Sequence, residues 1–295
     1  MQIATTVQEM LDARAKLPGS SKVGLVPTMG YLHAGHLALV RQGRAENDVL
    51  IVSIFVNPTQ FGPQEDLELY PRDVPRDLQM LEEAEVDIVF IPTAHEIYPA
   101  GFVTYVEPTG VLANEGEGAY RHGHFRGVAT VVLKLLEIVQ PHLAYFGQKD
   151  AQQVAVITRM VKDFNLPVKL RILATIREPD GLAISSRNDY LHTEDRLAAK
   201  ALYQALLAGR QVFEARSAGS AQAVVQAMVE AVAREPRVSL DYAEVRDPQS
   251  FELLEALRAP ALLVIAARVG PARLIDNFLL RSDGTWETGI LIPDM

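Results

Sequence analysis

Several kinds of chemistry are missing from this chain before any residue is given a role. Its 295 residues include no cysteine, which excludes disulfides, thiolate catalysis and cysteine-ligated metal and fits a cytoplasmic protein. The richest apolar runs, residues 49–56 and 259–267, reach only about half of the ~20 residues a membrane crossing needs. The N-terminus, MQIATTVQEMLDARAK, lacks the basic-then-apolar order of a secretion signal. A formal net charge of −9 disfavours nucleic-acid binding, which relies on Lys and Arg to neutralise phosphates. Neither GxxxxGK(S/T) nor GxGxxG occurs, so any nucleotide is held in another way. No internal repeat or low-complexity tail is present. With 48% hydrophobic and 22% charged residues, the composition is that of a soluble globular enzyme or binding protein, long enough for two domains.

What is present alternates. Residues 5–17 read as an amphipathic helix stopped by Pro18-Gly19-Ser20. Val23 to Val26 reads as a buried strand, followed by a helix from about Gly35 to Glu46. The β-branched run Val49 to Val56 has the signature of a strand covered on both faces of a parallel sheet. Residues 74–84 read as helix and 86–91 as a third strand, an alternation that implies a doubly wound parallel sheet with right-handed crossovers. Beyond it the sequence predicts a strand at 103–107, a glycine-rich loop at 110–127, a helix at 127–139, a strand at 143–146, a turn at 147–150, a helix at 151–163 and a strand at 168–174. Past Arg177, alanine-rich helices at about 194–215 and 220–234 and strands at 239–245 and 262–269 form a smaller unit. The boundary is placed near 177–188. The expected fold class is α/β: a doubly wound parallel sheet with a second, smaller α/β C-terminal domain.

Ligands of open α/β sheets bind outside the carboxyl ends of the strands, and the unusual polar residues converge there. His33 and His36 follow the first of these strands, Asn57 and Gln60 the second, and Gly147 to Asp150 a later one. A helix start carries unpaired N–H groups and a partial positive charge, so two imidazoles beside it suit an anion such as phosphate. The alternative is a pair of surface histidines capping a loop. A zinc pair would need i,i+4 spacing with a glutamate, and no third ligand is evident. Lys149 can meet phosphate and Asp150 ribose hydroxyls, unless Asp150 simply caps the next helix. Ser185-Ser186-Arg187 is either an anion clamp or a solvated turn. Gln152 and Gln153 are adjacent, so at most one faces a site. Gln60 with Tyr70 suits a hydroxy acid, although Tyr70, next to Pro71, is equally a packed loop aromatic.

These residues spell a pattern. Residues 27–36, PTMGYLHAGH, resemble the HIGH signature of the nucleotidylyltransferase and class I aminoacyl-tRNA synthetase superfamily, and Ile184-Ser-Ser-Arg-Asn188 resembles a form of its KMSKS loop. Together with residues 54–62 (IFVNPTQFG), Tyr70-Pro-Arg72, His124-Phe-Arg-Gly-Val128 and Phe146-Gly-Gln-Lys-Asp150, the set resembles the pantothenate synthetase (pantoate–beta-alanine ligase) family. The motifs run in order from about residue 23 to 191.

The resemblance implies a Rossmann-like domain over residues 1–180 that binds ATP and pantoate, and a smaller lid domain over 181–295. It also implies a homodimer. The implied reaction joins (R)-pantoate to beta-alanine through a pantoyl adenylate, releasing pyrophosphate and AMP, with Mg2+ accompanying ATP. No nucleic acid or membrane partner is expected. Carried over by motif, Pro27, Thr28, Met29, His33, His36, Gly147, Lys149, Asp150, Ile184, Ser185, Ser186 and Arg187 bind ATP. Of these, His33, His36, Lys149, Ser185 and Arg187 also act in catalysis. Gln60, Gln153, Asn57 and Tyr70 bind pantoate, and Asp77 is the candidate metal ligand. The chain departs from the family pattern at His122, Gln148, Ala151 and Ile184, affecting the shape of the site more than its chemistry. A related nucleotidylyltransferase acting on a phosphorylated substrate is the competing enzyme; it would need more cations than neutral Gln60 and Gln153 supply. A non-catalytic nucleotide-binding protein is the other class.

Overall fold

The structure, a computed structural model, describes residues 1–63, 65–215 and 220–293. The chain divides into two compact units, Met1–Gly147 with Val156–Leu173 and Gln148–Ala155 with Ala174–Met295. The division falls a few residues before the 177–188 window expected from sequence. It also places the turn after residue 147 with the second unit.

In the first unit, β1 (Gln2–Ala4), α1 (Val7–Ala15), β2 (Val23–Thr28), α2 (Ala34–Glu46), β3 (Val49–Ile54), α3 (Val74–Glu83) and β4 (Ile88–Phe90) alternate as the hydrophobic pattern requires. Three short helices, α4 (Ala94–Ile97), α5 (Val111–Asn114) and α6 (Glu117–Tyr120), precede α7 (His124–Val139), β5 (Leu143–Gly147), α8 (Ala151–Asp163), which belongs to this unit from Val156 on, and β6 (Lys169–Leu173). The six strands form one parallel sheet in the order β1-β4-β3-β2-β5-β6. The winding reverses between β2 and β5, and the carboxyl ends at such a reversal are where this architecture takes ligands.

β3 is buried on both faces because helices cover both sides, which is why it reads as a continuous apolar run. Leu50, Val52 and Ile54 pack with Val26, Leu39, Val40, Leu81, Val89 and Leu143. The one polar end inside this cluster is Tyr145, whose hydroxyl accepts from Asn47 Nδ2 at 2.7 Å and donates to Glu46 Oε2 at 2.9 Å. Burial pushes that phenol up to about 12, so it stays a hydrogen-bonding hydroxyl.

The expected strand at 103–107 does not form. Val103 and Tyr105 stand exposed, so the segment has no core to face. The segment is held instead by the Val106 N–H donating to Thr130 Oγ1 at 3.0 Å and by Tyr105 lying under Arg126.

In the second unit, β7 (Ile176–Arg177), α9 (Thr193–Ala198), α10 (Ala201–Ala215), α11 (Ala221–Val232), β8 (Val238–Arg246), β9 (Ala261–Val269), β10 (Ala272–Leu280), β11 (Trp286–Glu287) and β12 (Ile290–Leu291) follow in order. The helix expected over 194–215 is broken at Ala199, which is wholly buried; packing rather than local propensity sets that break. β8 to β11 form an antiparallel sheet in the order β11-β10-β9-β8. Leu202, Leu206, Val224, Met228 and Val232 pack against Val245, Leu263, Ile265 and Phe278 of this sheet. β10, β11 and β12 were not expected from sequence. Among the described residues no helix is long and apolar enough to cross a membrane.

Candidate active site

The turn from β2 into α2 is built by its own residues and one carboxylate. Thr28 Oγ1 donates to the Ser53 carbonyl at 2.7 Å and accepts from the Gly30 N–H at 3.1 Å. Gly30 and Tyr31 then take φ of 80° and 51°, a left-handed pair that swings the following N–H groups inward. Glycine is required at 30 on a second ground, since a Cβ there would stand 2.9 Å from Ile54 Cγ2.

Asp77, in the first turn of α3, receives two of those N–H groups: Tyr31 N on Oδ2 and Leu32 N on Oδ1, each at 2.7 Å. Its exposure is 1%. Burial pushes the carboxyl up, and the two N–H donors oppose that shift by favouring its charged form. The carboxylate that the sequence offers as a metal ligand therefore also shapes the turn, with an N–H on each oxygen. Among the described residues no group of three His, Asp or Glu is arranged to hold a metal ion.

His33 and His36 are positioned by the helix start. His33 is the N-cap of α2, in extended backbone, and its Nδ1 accepts from the Gly35 N–H at 3.2 Å. His36 Nδ1 in turn faces the His33 N–H at 3.4 Å. The rings stack with centroids 4.0 Å apart. A neutral imidazole that accepts at Nδ1 carries its proton on Nε2. Both residues therefore cap the helix and present an N–H donor from the other edge of the ring. The capping and anion-binding alternatives turn out to be compatible.

Gln60 and Met29 are brought together, with Gln60 Nε2 3.1 Å from Met29 Sδ. Asn57 is 1% exposed, and its bonds hold this arrangement. It donates to Gln60 Oε1 and to the Gly127 carbonyl, both at 3.1 Å, and accepts from the Thr59 hydroxyl at 2.9 Å and the Tyr98 hydroxyl at 2.7 Å. Sequence groups Asn57 with the pantoate contacts; these bonds also make it a residue that sets Gln60. Gly127 lets α7 approach this turn, since a Cβ there would lie 2.3 Å from the Thr59 carbonyl oxygen. Tyr70 is buried edge-on to Phe61.

A chain of polar contacts behind Gln60, half-buried at Glu65 and Arg121 and buried at His124, was not identified from sequence. Glu65 pairs with Arg121 through Oε1 at 3.1 Å and Oε2 at 2.6 Å, and Arg121 Nη1 lies 3.1 Å from His124 Nε2. His124 Nδ1 lies 2.8 Å from the Gln60 carbonyl. Burial first, then the Arg121 charge, push His124 down to about 4. It is thus neutral, with Nδ1–H donating to the carbonyl and Nε2 accepting from Arg121. The sequence offered His124 only as part of a motif.

In the second unit, Lys149 and Asp150 form a tight turn with Lys149 Nζ 3.8 Å from Asp150 Oδ1. Gln152 is buried and Gln153 half-buried, in keeping with only one of them facing outward. Ser185 caps the turn at 186–190, its Oγ accepting from the Arg187 N–H at 3.3 Å. Ile184 enters that turn with its N–H on the Ile176 carbonyl at 3.0 Å. Both turns pack on β10.

A family model described as pantoate-beta-alanine ligase matches residues 2–279. The chain belongs to the pantoate–beta-alanine ligase family. A pantothenate synthetase of Herpetosiphon aurantiacus is 54% identical over 281 residues, 95% of this chain and 100% of that protein. Another, of Thermotoga neapolitana, is 51% identical over the same shares of the two chains. Among solved structures, the pantothenate synthetase of Thermus thermophilus superposes with a TM-score of 0.89 at 49% identity, covering 94% of this chain and 98% of that one. The pantoate–beta-alanine ligase of Francisella tularensis, solved in complex with beta-gamma ATP and beta-alanine, gives 0.78 at 38% identity over 95% and 97% of the two chains. The six-stranded parallel sheet and the antiparallel second sheet belong to this family's fold.

Proposed function

We propose that this chain joins pantoate to beta-alanine at the expense of ATP, by way of a pantoyl adenylate. A carboxylate oxygen of pantoate attacks the α-phosphorus of ATP, and the bond from that phosphorus to the bridging oxygen of pyrophosphate breaks. The amine of beta-alanine then attacks the acyl carbon, loses a proton and expels AMP, leaving an amide. The pantoate carboxylate is itself the nucleophile, so the first step needs no enzyme nucleophile. It needs alignment and relief of charge at the phosphates.

The observation that carries this reading is the histidine pair at the start of α2, each ring fixed at Nδ1 with its donor on Nε2. Two such donors at a helix N-terminus suit phosphate oxygens. To Lys149, Ser185 and Arg187 we assign the balancing of charge on the nucleotide, to Gly147 and Asp150 the ribose, and to Pro27, Thr28, Met29, Ile184 and Ser186 the remaining nucleotide contacts. Gln60 and Gln153 are assigned to pantoate, with neutral amides that suit hydroxyl and carboxylate groups. Mg2+ enters with ATP, its ligands supplied by phosphate oxygens and water. Nearly full-length family membership and the ligands named for the Francisella tularensis relative support the substrates. We take the enzyme to act as a cytoplasmic homodimer.

Product analysis tests the reaction. With ATP, pantoate and beta-alanine the expected products are pantothenate, AMP and pyrophosphate in equal amounts. Formation of ADP and phosphate, or a requirement for CTP or a phosphorylated alcohol, would overturn the assignment.

A further inference from the structure

Strand β10 carries Asp276 and Asn277 side by side, and both are buried. Adjacent residues of a strand point to opposite faces, so this pair places polar groups in two separate interior environments. Neither residue type favours a strand, and buried polar groups are costly unless their hydrogen bonds are met. Each is fully employed, and each on a different functional turn of the second unit.

Asn277 holds the turn of Lys149. Its Nδ2 donates to the Lys149 carbonyl at 2.9 Å and to the Gln148 carbonyl at 3.0 Å, while its Oδ1 accepts from Gln148 Nε2 at 3.2 Å. Asp276 holds the root of the segment that ends in Ser185. Its carboxylate accepts from Arg177 Nη1 at 2.6 Å and Nη2 at 2.8 Å, and Arg177 is 0% exposed. Arg177 Nη1 also donates to the Gly181 carbonyl at 3.0 Å, and its guanidinium lies over Tyr203 and Phe278. From there the chain returns beside Ile176, through the Ile184 N–H, directly into Ser185. The strand itself ties the two residues together, because Asp276 Oδ1 also accepts the Asn277 N–H at 2.7 Å.

We propose that Asp276 and Asn277 are positioning residues for the reaction: fixed next to each other on β10, they set the Lys149 turn and the Ser185–Arg187 turn in register, so that the cationic groups of both meet one set of phosphates. The proposal rests on the assignment of Lys149 and Arg187 to the nucleotide. Electrostatic catalysis of this kind is sensitive to placement, with a displacement of about 1 Å costing on the order of 100-fold in rate.

A double-mutant cycle tests it, read as pantoate-dependent exchange of labelled pyrophosphate into ATP. Asn277→Ala in the wild-type background is expected to lower the exchange rate by about 10- to 100-fold. In the Lys149→Ala background the same change is expected to cost less than about 3-fold, because the group it positions is gone. Equal losses in both backgrounds, or no loss in the first, would overturn the proposal and leave Lys149 in its role. Wild-type exchange by Lys149→Ala alone would instead overturn the assignment of Lys149. If Asn277→Ala does not fold, Asn277→Ser, which keeps one donor, goes through the same cycle with the same outcomes.

Discussion

The turn after β2 and the turns carried by β10 achieve similar ends by different means. In the first, Thr28 bonds Gly30, His33 bonds Gly35 and His36 bonds His33, all near neighbours, with Ser53 and Asp77 as more distant supports. In the second, the Lys149 carbonyl is held by Asn277, 128 positions away, and Arg177, at the root of the segment that leads to Ser185, by Asp276, 99 positions away. A locally built turn announces itself in sequence, because its spacing is its mechanism. A remotely built turn does not.

The largest effect that sharpens this contrast is expected at His33. His33→Ala removes a donor from the site and should lower adenylate formation by about 100-fold or more. Its stability cost should stay near 1 kcal/mol, the worth of a helix cap. Equilibrium unfolding beside the exchange assay separates the two quantities. A loss of several kcal/mol would mean that the turn depends on His33 far more than its local bonds imply.

Asp77 should behave in the opposite way. Asp77→Ala leaves two buried N–H groups without an acceptor and is expected to destabilise the first unit by about 2–3 kcal/mol, measured by urea denaturation. Asp77→Asn keeps one acceptor and should recover about half of that. Neither substitution should raise the Mg2+ concentration needed for exchange. A raised requirement in a well-folded Asp77→Asn variant would show that the carboxylate serves the metal as well as the turn.

The smallest effect concerns His124, which burial pushes down to about 4 from an ordinary 6.5. Between those values the unfolded chain binds the extra proton. The contribution of His124 is therefore complete above about pH 6.5 and is lost as pH falls toward 4. One unit below 6.5 the loss amounts to about 1.4 kcal/mol. His124→Asn, which can still donate to the Gln60 carbonyl, should unfold with a flatter pH dependence across that window. An unchanged slope would show that the buried imidazole is not the group responsible.

The same division between local and remote explains what could be read from the sequence. β2, β3, α2 and α8 were legible because burial on two faces or on one helical stripe leaves a short-range pattern. The histidine pair at the start of α2 was legible because a strand, a turn and a helix start lie within one stretch. The 103–107 segment misled because β-branched and aromatic residues there have no sheet to join, and Thr130 serves one N–H in its place. β10 went unread, although its start carried a signal: Gly270-Pro271 is a two-residue connection with Gly270 at φ 53° between paired Val269 and Ala272. The Glu65–Arg121–His124 chain and the Asn277–Lys149 contact leave no such trace. Glu65 and Arg121 are 56 positions apart, and nothing about either residue alone names its partner. Asp77 shows the converse: the family resemblance names its carboxylate, while its two N–H donors 45 and 46 positions away leave no trace in the sequence.

The most direct test of the central claim is isotope exchange without the second substrate. With labelled pyrophosphate, ATP and pantoate but no beta-alanine, the wild-type chain is expected to label ATP, and omission of pantoate should abolish the label. Labelling that proceeds without pantoate, or that appears only when beta-alanine is added, would contradict an adenylate formed on pantoate.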